Sequence, residues 1–139
     1  MSFIRTLALL LLRCAVGVVF LYHGLVKVGH LHQTPAMFSH MGFPAYFGYI
    51  AAFLETIGGA ALVLGLAARV FGILLAGEML IAFLRVHLPS GPITHVPGYE
   101  LPMLLSAASF MVFAYGAGAW SADGLGWFGG RQAAWARRP

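Results

Sequence analysis

The sequence predicts an all-α protein, a transmembrane four-helix bundle with a short interfacial helix between its first and second spans. Three observations predict it. Of 139 residues, 60% are apolar and 9% charged, and mean hydropathy is +0.87, whereas soluble domains carry about 25% charged residues. Four apolar stretches each approach the roughly 20 residues that a helix needs to cross a hydrocarbon core about 30 Å thick. The charges within them also balance, Arg13, Lys27 and Arg85 against Glu55, Glu78 and Glu100, as a bundle must arrange to hide them from lipid. The chain reads as one membrane domain, residues 1–139, with spans at about 6–28, 45–67, 70–88 and 98–118 and a tail at 119–139.

The first span, Thr6 to Val28, carries Arg13 well inside the apolar region. A charge there costs about 2.5–3.5 kcal/mol even on the gentlest insertion scale, so it needs a partner. At 100° per residue Arg13, Gly17, Gly24 and Lys27 fall on one stripe, which must face protein. Arg5 followed by LALLLL resembles an export signal, but Arg13 interrupts the apolar core and no small-x-small site follows, so the segment is expected to stay uncleaved. Next, GHLHQ (residues 29–33) is polar enough to reach the headgroups. Thr34 can cap a short helix that begins at Pro35, runs through Ala36 to Met41 and stops at Gly42. Pro44 opens the second span, with Glu55 in its middle, Gly58 and Gly59 one turn on, and Arg69 at its end. The third span, Val70 to Leu88, carries Glu78 and Arg85 on one face. A proline-containing loop, Pro89 to Pro97, leads to the fourth, which begins at Gly98-Tyr99-Glu100 and reaches Gly118. It has no charge from Leu101 to Ala122 and is the span a strict hydropathy rule should pass unaided.

With four spans both termini share a side, and that side holds Arg5, Arg69, Arg131, Arg137 and Arg138. Cations mark the cytoplasmic side, so both termini are expected to be cytoplasmic in a bacterial-type inner membrane. The net charge of +4 and pI near 9.7 then reflect topology and contact with anionic lipid, not nucleic acid. Trp120, Trp127 and Trp135 belong to that inner side, whereas His23, His30, His32, His40, His87 and His95 map outward. Counting depth at 1.5 Å per residue puts Arg13 with Glu78 or Glu55 in an inner layer, and Lys27 or Arg85 with Glu100 in an outer one. Asp123 and Arg69 can pair across the inner ends of the second and fourth spans. One reading is that these layers only fix helix register. The other is that Glu55 is a protonatable carboxyl facing a small cavity.

The lone Cys14 excludes an internal disulfide or a thiol metal cluster within one chain. No metal site is expected: His30, His32 and His40 lie in interfacial loops, where imidazoles are ordinarily solvated, and His23 and His87 sit at different depths for a shared haem. No phosphate loop or nucleophile elbow is present.

Arg13 with GVVFLYHGLVKV, then FPAYFGYIAAFLETIGGAALVLGLAAR, GYE at Gly98 to Glu100 and GAGAWSADG at Gly116 to Gly124 together resemble the DoxX family of small four-helix membrane proteins. The resemblance runs from about Leu12 to Gly124. Its motif positions are Arg13, His23, Gly24, Lys27, Glu55, Gly58, Gly59, Arg69, Glu100, Gly116, Gly118, Ser121 and Asp123; Glu78, Arg85 and the outer-loop histidines fall outside it. It implies a membrane redox association, since the family takes its name from a subunit of a terminal quinol oxidase complex and has relatives in a thiosulfate to quinone oxidoreductase.

Three functions follow as expectations. The first is a subunit of a quinone-linked redox complex, either accessory or a small catalytic component. Its candidate reactive residues are Glu55, Arg13 and His23, and its candidate quinone contacts are Tyr22, His23, Lys27 and Glu100. No covalent cofactor is expected, only quinone or quinol, with the bilayer and a larger complex or a homo-oligomer as partners. The second is a supernumerary subunit packed against such a complex, and the third a small transporter, suggested by the intramembrane acids.

Overall fold

The computed structural model describes residues 3–90 and 98–125. All regular structure there is helical: α1 (Phe3–Gly29), α2 (Thr34–His40), α3 (Tyr46–Leu64), α4 (Ala68–Ala82) and α5 (Glu100–Tyr115). A π turn (Phe83–His87) and a 3-10 turn (Leu88–Ser90) prolong α4. Trp127, Trp135, His95, the tail arginines and most of the loop before the fourth span lie outside the described residues. Among those described, three helices are long and apolar enough to cross a membrane, Phe3–Gly29, Tyr46–Leu64 and Ala68–His87.

The fourth expected span behaves differently from its sequence. It was the stretch to pass on hydropathy alone, yet α5 has 16 residues, roughly 24 Å of helix at 1.5 Å per residue. Gly116 and Gly118, at φ +78° and +80°, turn the chain out of the helix before Gly118 is reached. Apolarity was correctly placed there, but glycine sets the length.

α1 pairs chiefly with α3 and α4 with α5, and α3–α4 and α1–α5 contacts close the ring. Small residues let the backbones approach, as in membrane helix pairs generally. A Cβ on Gly17 would stand 2.8 Å from the Gly59 carbonyl oxygen, and one on Gly24 would collide with the backbone nitrogen of Thr56. Across α4 and α5, a Cβ on Gly72 would lie 2.9 Å from Phe113 N, and Ser106 Oγ donates to the Ala76 carbonyl at 3.0 Å. Phe20, Leu62, Leu75, Leu105 and Val112 fill the core.

Thr34 does not cap α2. Its hydroxyl bonds back to the carbonyls of Lys27 (3.1 Å) and His30 (3.0 Å), closing the end of α1. The short helix begins one residue earlier than expected, at Thr34, with Pro35 in its first turn, where no backbone donor is needed.

The end of the bundle that holds the termini is locked by polar contacts with backbone. The Arg13 guanidinium, 2% exposed, donates from Nη1 to the carbonyls of Leu62 (2.8 Å) and Val63 (2.9 Å) and from Nη2 to that of Trp120 (2.8 Å). These include carbonyls that the C-terminus of α3 leaves without helical partners. The Asp123 carboxylate accepts from Ala67 N (2.9 Å) and Ala68 N (3.0 Å) at the start of α4, while Ala122 N and Asp123 N donate to Leu64 and Gly65. Asp123 thus serves as an N-cap supplied from 55 residues away, and it holds Ala67 in a left-handed conformation (φ 45°). Asp123→Ala is expected to lower stability by about 0.5–2 kcal/mol, the usual worth of a cap, read as a lower midpoint of thermal unfolding in detergent.

One expected pairing is therefore corrected. Arg13 meets carbonyl oxygens, not Glu78 or Glu55, because α1 is 27 residues long and begins well beyond the level where α3 ends. Depth counted from the chain start placed Arg13 too far in. Asp123 meets the backbone amides of Ala67 and Ala68, and the Arg69 guanidinium packs over Gly116.

Candidate functional site

Toward the α2 end of the bundle, the helices diverge around a cavity of about 590 Å³. α1 contributes Phe20, His23 and Lys27; α3 contributes Ala51, Leu54 and Glu55; α4 and its π turn contribute Glu78, Met79 and His87. Leu101 and Leu105 of α5 and Met37, Phe38 and Met41 of α2 and its end complete the wall. The lining is overwhelmingly apolar, so its few polar groups stand out.

Lys27 Nζ and Glu55 Oε2 form an ion pair at 2.5 Å. Glu55 is 3% exposed. The close approach of α1 to α3 at Gly24, which sits against Thr56 and Glu55, brings the two side chains together. A Lys side chain on a helix leans toward the N-terminus, and here that is toward the deeper-lying Glu55. Of the two cations expected for Glu100, Lys27 or Arg85, the structure gives Lys27 to Glu55. Arg85 is exposed, and Glu100 begins α5 as its first-turn acid, where the helix dipole favours it.

Glu78, outside the family pattern, faces the same cavity as Glu55. A signal for this existed in the sequence. The α3–α4 connection is tight, so residues equidistant from it share a depth; Glu55 lies eleven positions before Leu66 and Glu78 twelve after. His87 owes its place to the π turn. Its Nδ1–H donates to the Ala82 carbonyl five residues back, at 3.0 Å, and the wider winding keeps Ala82, Val86 and His87 all on the cavity wall.

Of the expected quinone contacts, His23 and Lys27 line the cavity, and Tyr22 and Glu100 do not. Tyr22 is 66% exposed on the outer face of α1, one helical step of about 100° from His23. Arg13 lies at the other end of the bundle and acts on the fold.

Removing one member of a buried ion pair leaves an uncompensated charge, which costs about 3–5 kcal/mol, whereas replacing both with apolar groups of similar size is often neutral. Lys27→Met and Glu55→Met are accordingly expected to destabilise singly far more than the double substitution does. Unfolding of the three variants in detergent measures this.

A sequence model of the DoxX family matches residues 8–88. The chain is also similar to a protein of Bacillus subtilis (strain 168) named "Putative oxidoreductase CatD", with 38% identity over 79 residues, 57% of this chain and 59% of that one. The match thus spans under two thirds of that relative's length. No solved structure matches. The family match takes in α1 to α4, and with them Lys27, Glu55, Glu78 and the histidines of the cavity.

Proposed function

The chain belongs to the DoxX family, and from that premise we propose that it is a quinone-holding accessory subunit of a membrane oxidoreductase, its cavity receiving the quinone head group. The observation that carries this reading is a buried ion pair set in the wall of an otherwise apolar cavity. Its 590 Å³ fall within the roughly 300–1,000 Å³ of small-molecule sites, which combine apolar walls with a few placed polar groups. The name of the Bacillus subtilis relative is in keeping with an oxidoreductase setting.

When bound, a quinone supplies two-electron, two-proton chemistry, its electrons coming from the partner complex. The residues of this chain bind and orient. Lys27 donates a hydrogen bond to a ring carbonyl, Glu55 holds the ammonium in place and accepts from a hydroxyl of the reduced form, and His23 offers a further polar contact. Phe20, Leu54 and Leu105 exclude water and flank the ring. Arg5 and Arg69 at the termini end favour placing that end on the cytoplasmic side.

The Lys27→Met/Glu55→Met variant tests the reading, because it removes the polar contacts without leaving a buried charge. Wild-type protein extracted in mild detergent is expected to carry quinone, and the folded double variant at least about tenfold less, the worth of one or two hydrogen bonds. Equal quinone content in the two would overturn the proposal.

A further inference from the structure

The Lys27–Glu55 pair leaves one cavity acid over. Glu78 lines the same cavity, and its Oε2 is buried with no hydrogen-bond partner among the described residues. Glu55 and Lys27 line the same cavity wall. Among the described residues, the titratable groups facing the cavity are His23 and Lys27 from α1, Glu55 from α3, and Glu78 and His87 from α4 and its π turn; the described lining residues of α2 and α5 contribute none. Two ionised carboxylates beside one ammonium would leave a net negative charge in apolar surroundings. An acid so placed neutralises by keeping its proton.

We infer that Glu78 is a positioning residue that stays protonated and offers its O–H as a hydrogen-bond donor to a carbonyl oxygen of the cavity's ligand. The inference rests on the cavity being a quinone site and adds a residue outside the family's motif positions. It divides the labour among the polar groups. Lys27 is held by Glu55, and Glu78 brings to the cavity a buried oxygen, Oε2, that has no hydrogen-bond partner among the described residues. A carboxylic acid donates when protonated and only accepts when ionised, so the ligand it suits is an apolar ring bearing a carbonyl. A carboxylate or phosphate ligand would bring a further negative charge beside two acids.

The test is equilibrium binding of a short-chain quinone to the full-length protein in lipid nanodiscs across pH, with Glu78→Gln and Glu78→Leu beside wild type. Wild type is expected to bind with constant affinity at low and neutral pH and to lose about tenfold as Glu78 ionises at higher pH, since the donor then becomes an acceptor. Glu78→Gln keeps an N–H donor and cannot ionise; it should bind within about threefold of wild type at neutral pH and lose the pH dependence. Glu78→Leu should bind about tenfold more weakly throughout. Infrared difference spectra on adding quinone should show a protonated-carboxyl stretch that shifts in wild type and is missing in Glu78→Gln. Quinone binding by wild type with an unchanged pH profile in Glu78→Gln, or with no such carboxyl band, overturns the inference and leaves the cavity site standing. No binding by wild type at all overturns both.

Discussion

Arg13→Met is expected to prevent accumulation of the folded bundle. The guanidinium makes three bonds to the carbonyls of Leu62, Val63 and Trp120. Hydrogen bonds to a charged group contribute about 1.5–3 kcal/mol each, and three of them rival the roughly 5–15 kcal/mol that stabilises a whole domain. A carbonyl left without a donor inside a membrane protein adds several kcal/mol of its own. Arg13→Lys should rescue only in part, because one ammonium on a flexible stem cannot reproduce a planar fork that reaches two segments at once. Yield of monodisperse protein in detergent and the unfolding midpoint should fall in the order wild type, Lys, Met. A Met variant as stable as wild type would show that the α3 terminus and the Gly116–Leu125 segment hold together without Arg13.

The second large effect is expected at Gly59. A Cβ there would collide with the backbone of Leu21 and stand 2.8 Å from the carbonyl oxygen of Gly17. Backbone cannot swing aside as a flexible side chain does. Gly59→Val must therefore push α1 away from α3, at a cost above the usual 1–3 kcal/mol of an overpacked core, about 3 kcal/mol or more. The same displacement parts Lys27 from Glu55, so ligand binding should fall together with stability. Gly77→Ala is the control. Nothing lies within 4 Å of its added Cβ, and replacing a helical glycine with alanine should be neutral or stabilise by about 0.5–1 kcal/mol. If both variants unfolded alike, close approach at Gly59 would not be what joins these helices.

Which residues share a helix face was legible in the chain, because a 100° step is a property of any helix. Arg13, Gly17 and Gly24 are buried along one side of α1 as that step requires. Partners across helices were less legible. A buried cation ordinarily pairs with an acid, but a helix terminus offers Arg13 carbonyl oxygens that also need a donor. No hydropathy pattern announces that choice. The Asp123 carboxylate likewise accepts from two amides at the start of α4. Both choices depend on where the Gly116–Leu125 segment returns to the bundle, a tertiary fact that glycines at positive φ determine.

At the cavity the limits were different. His23, Lys27 and Glu55 stood out because polar groups within apolar stretches are few. Glu78 is expected in the inner layer with Arg13, whereas the structure sets it in the wall of the cavity that holds Lys27 and Glu55. Tyr22 adjoins His23 in the chain, but adjacent residues on a helix point about 100° apart. The reach of His87 into the cavity depends on a π turn, which local sequence does not signal.

Photolabelling with an azido-quinone, followed by mapping of the adducts by mass spectrometry, asks most directly whether the cavity is where quinone sits. Adducts are expected on cavity residues such as Met37, Met41, Leu54 and Met79, to be displaced by excess unmodified quinone, and to diminish in the Lys27→Met/Glu55→Met variant. Adducts confined to the exposed outer faces, at Val18, Ile57, Leu104 or Phe110, and indifferent to competitor would mean that quinone meets this protein only as a component of the surrounding lipid.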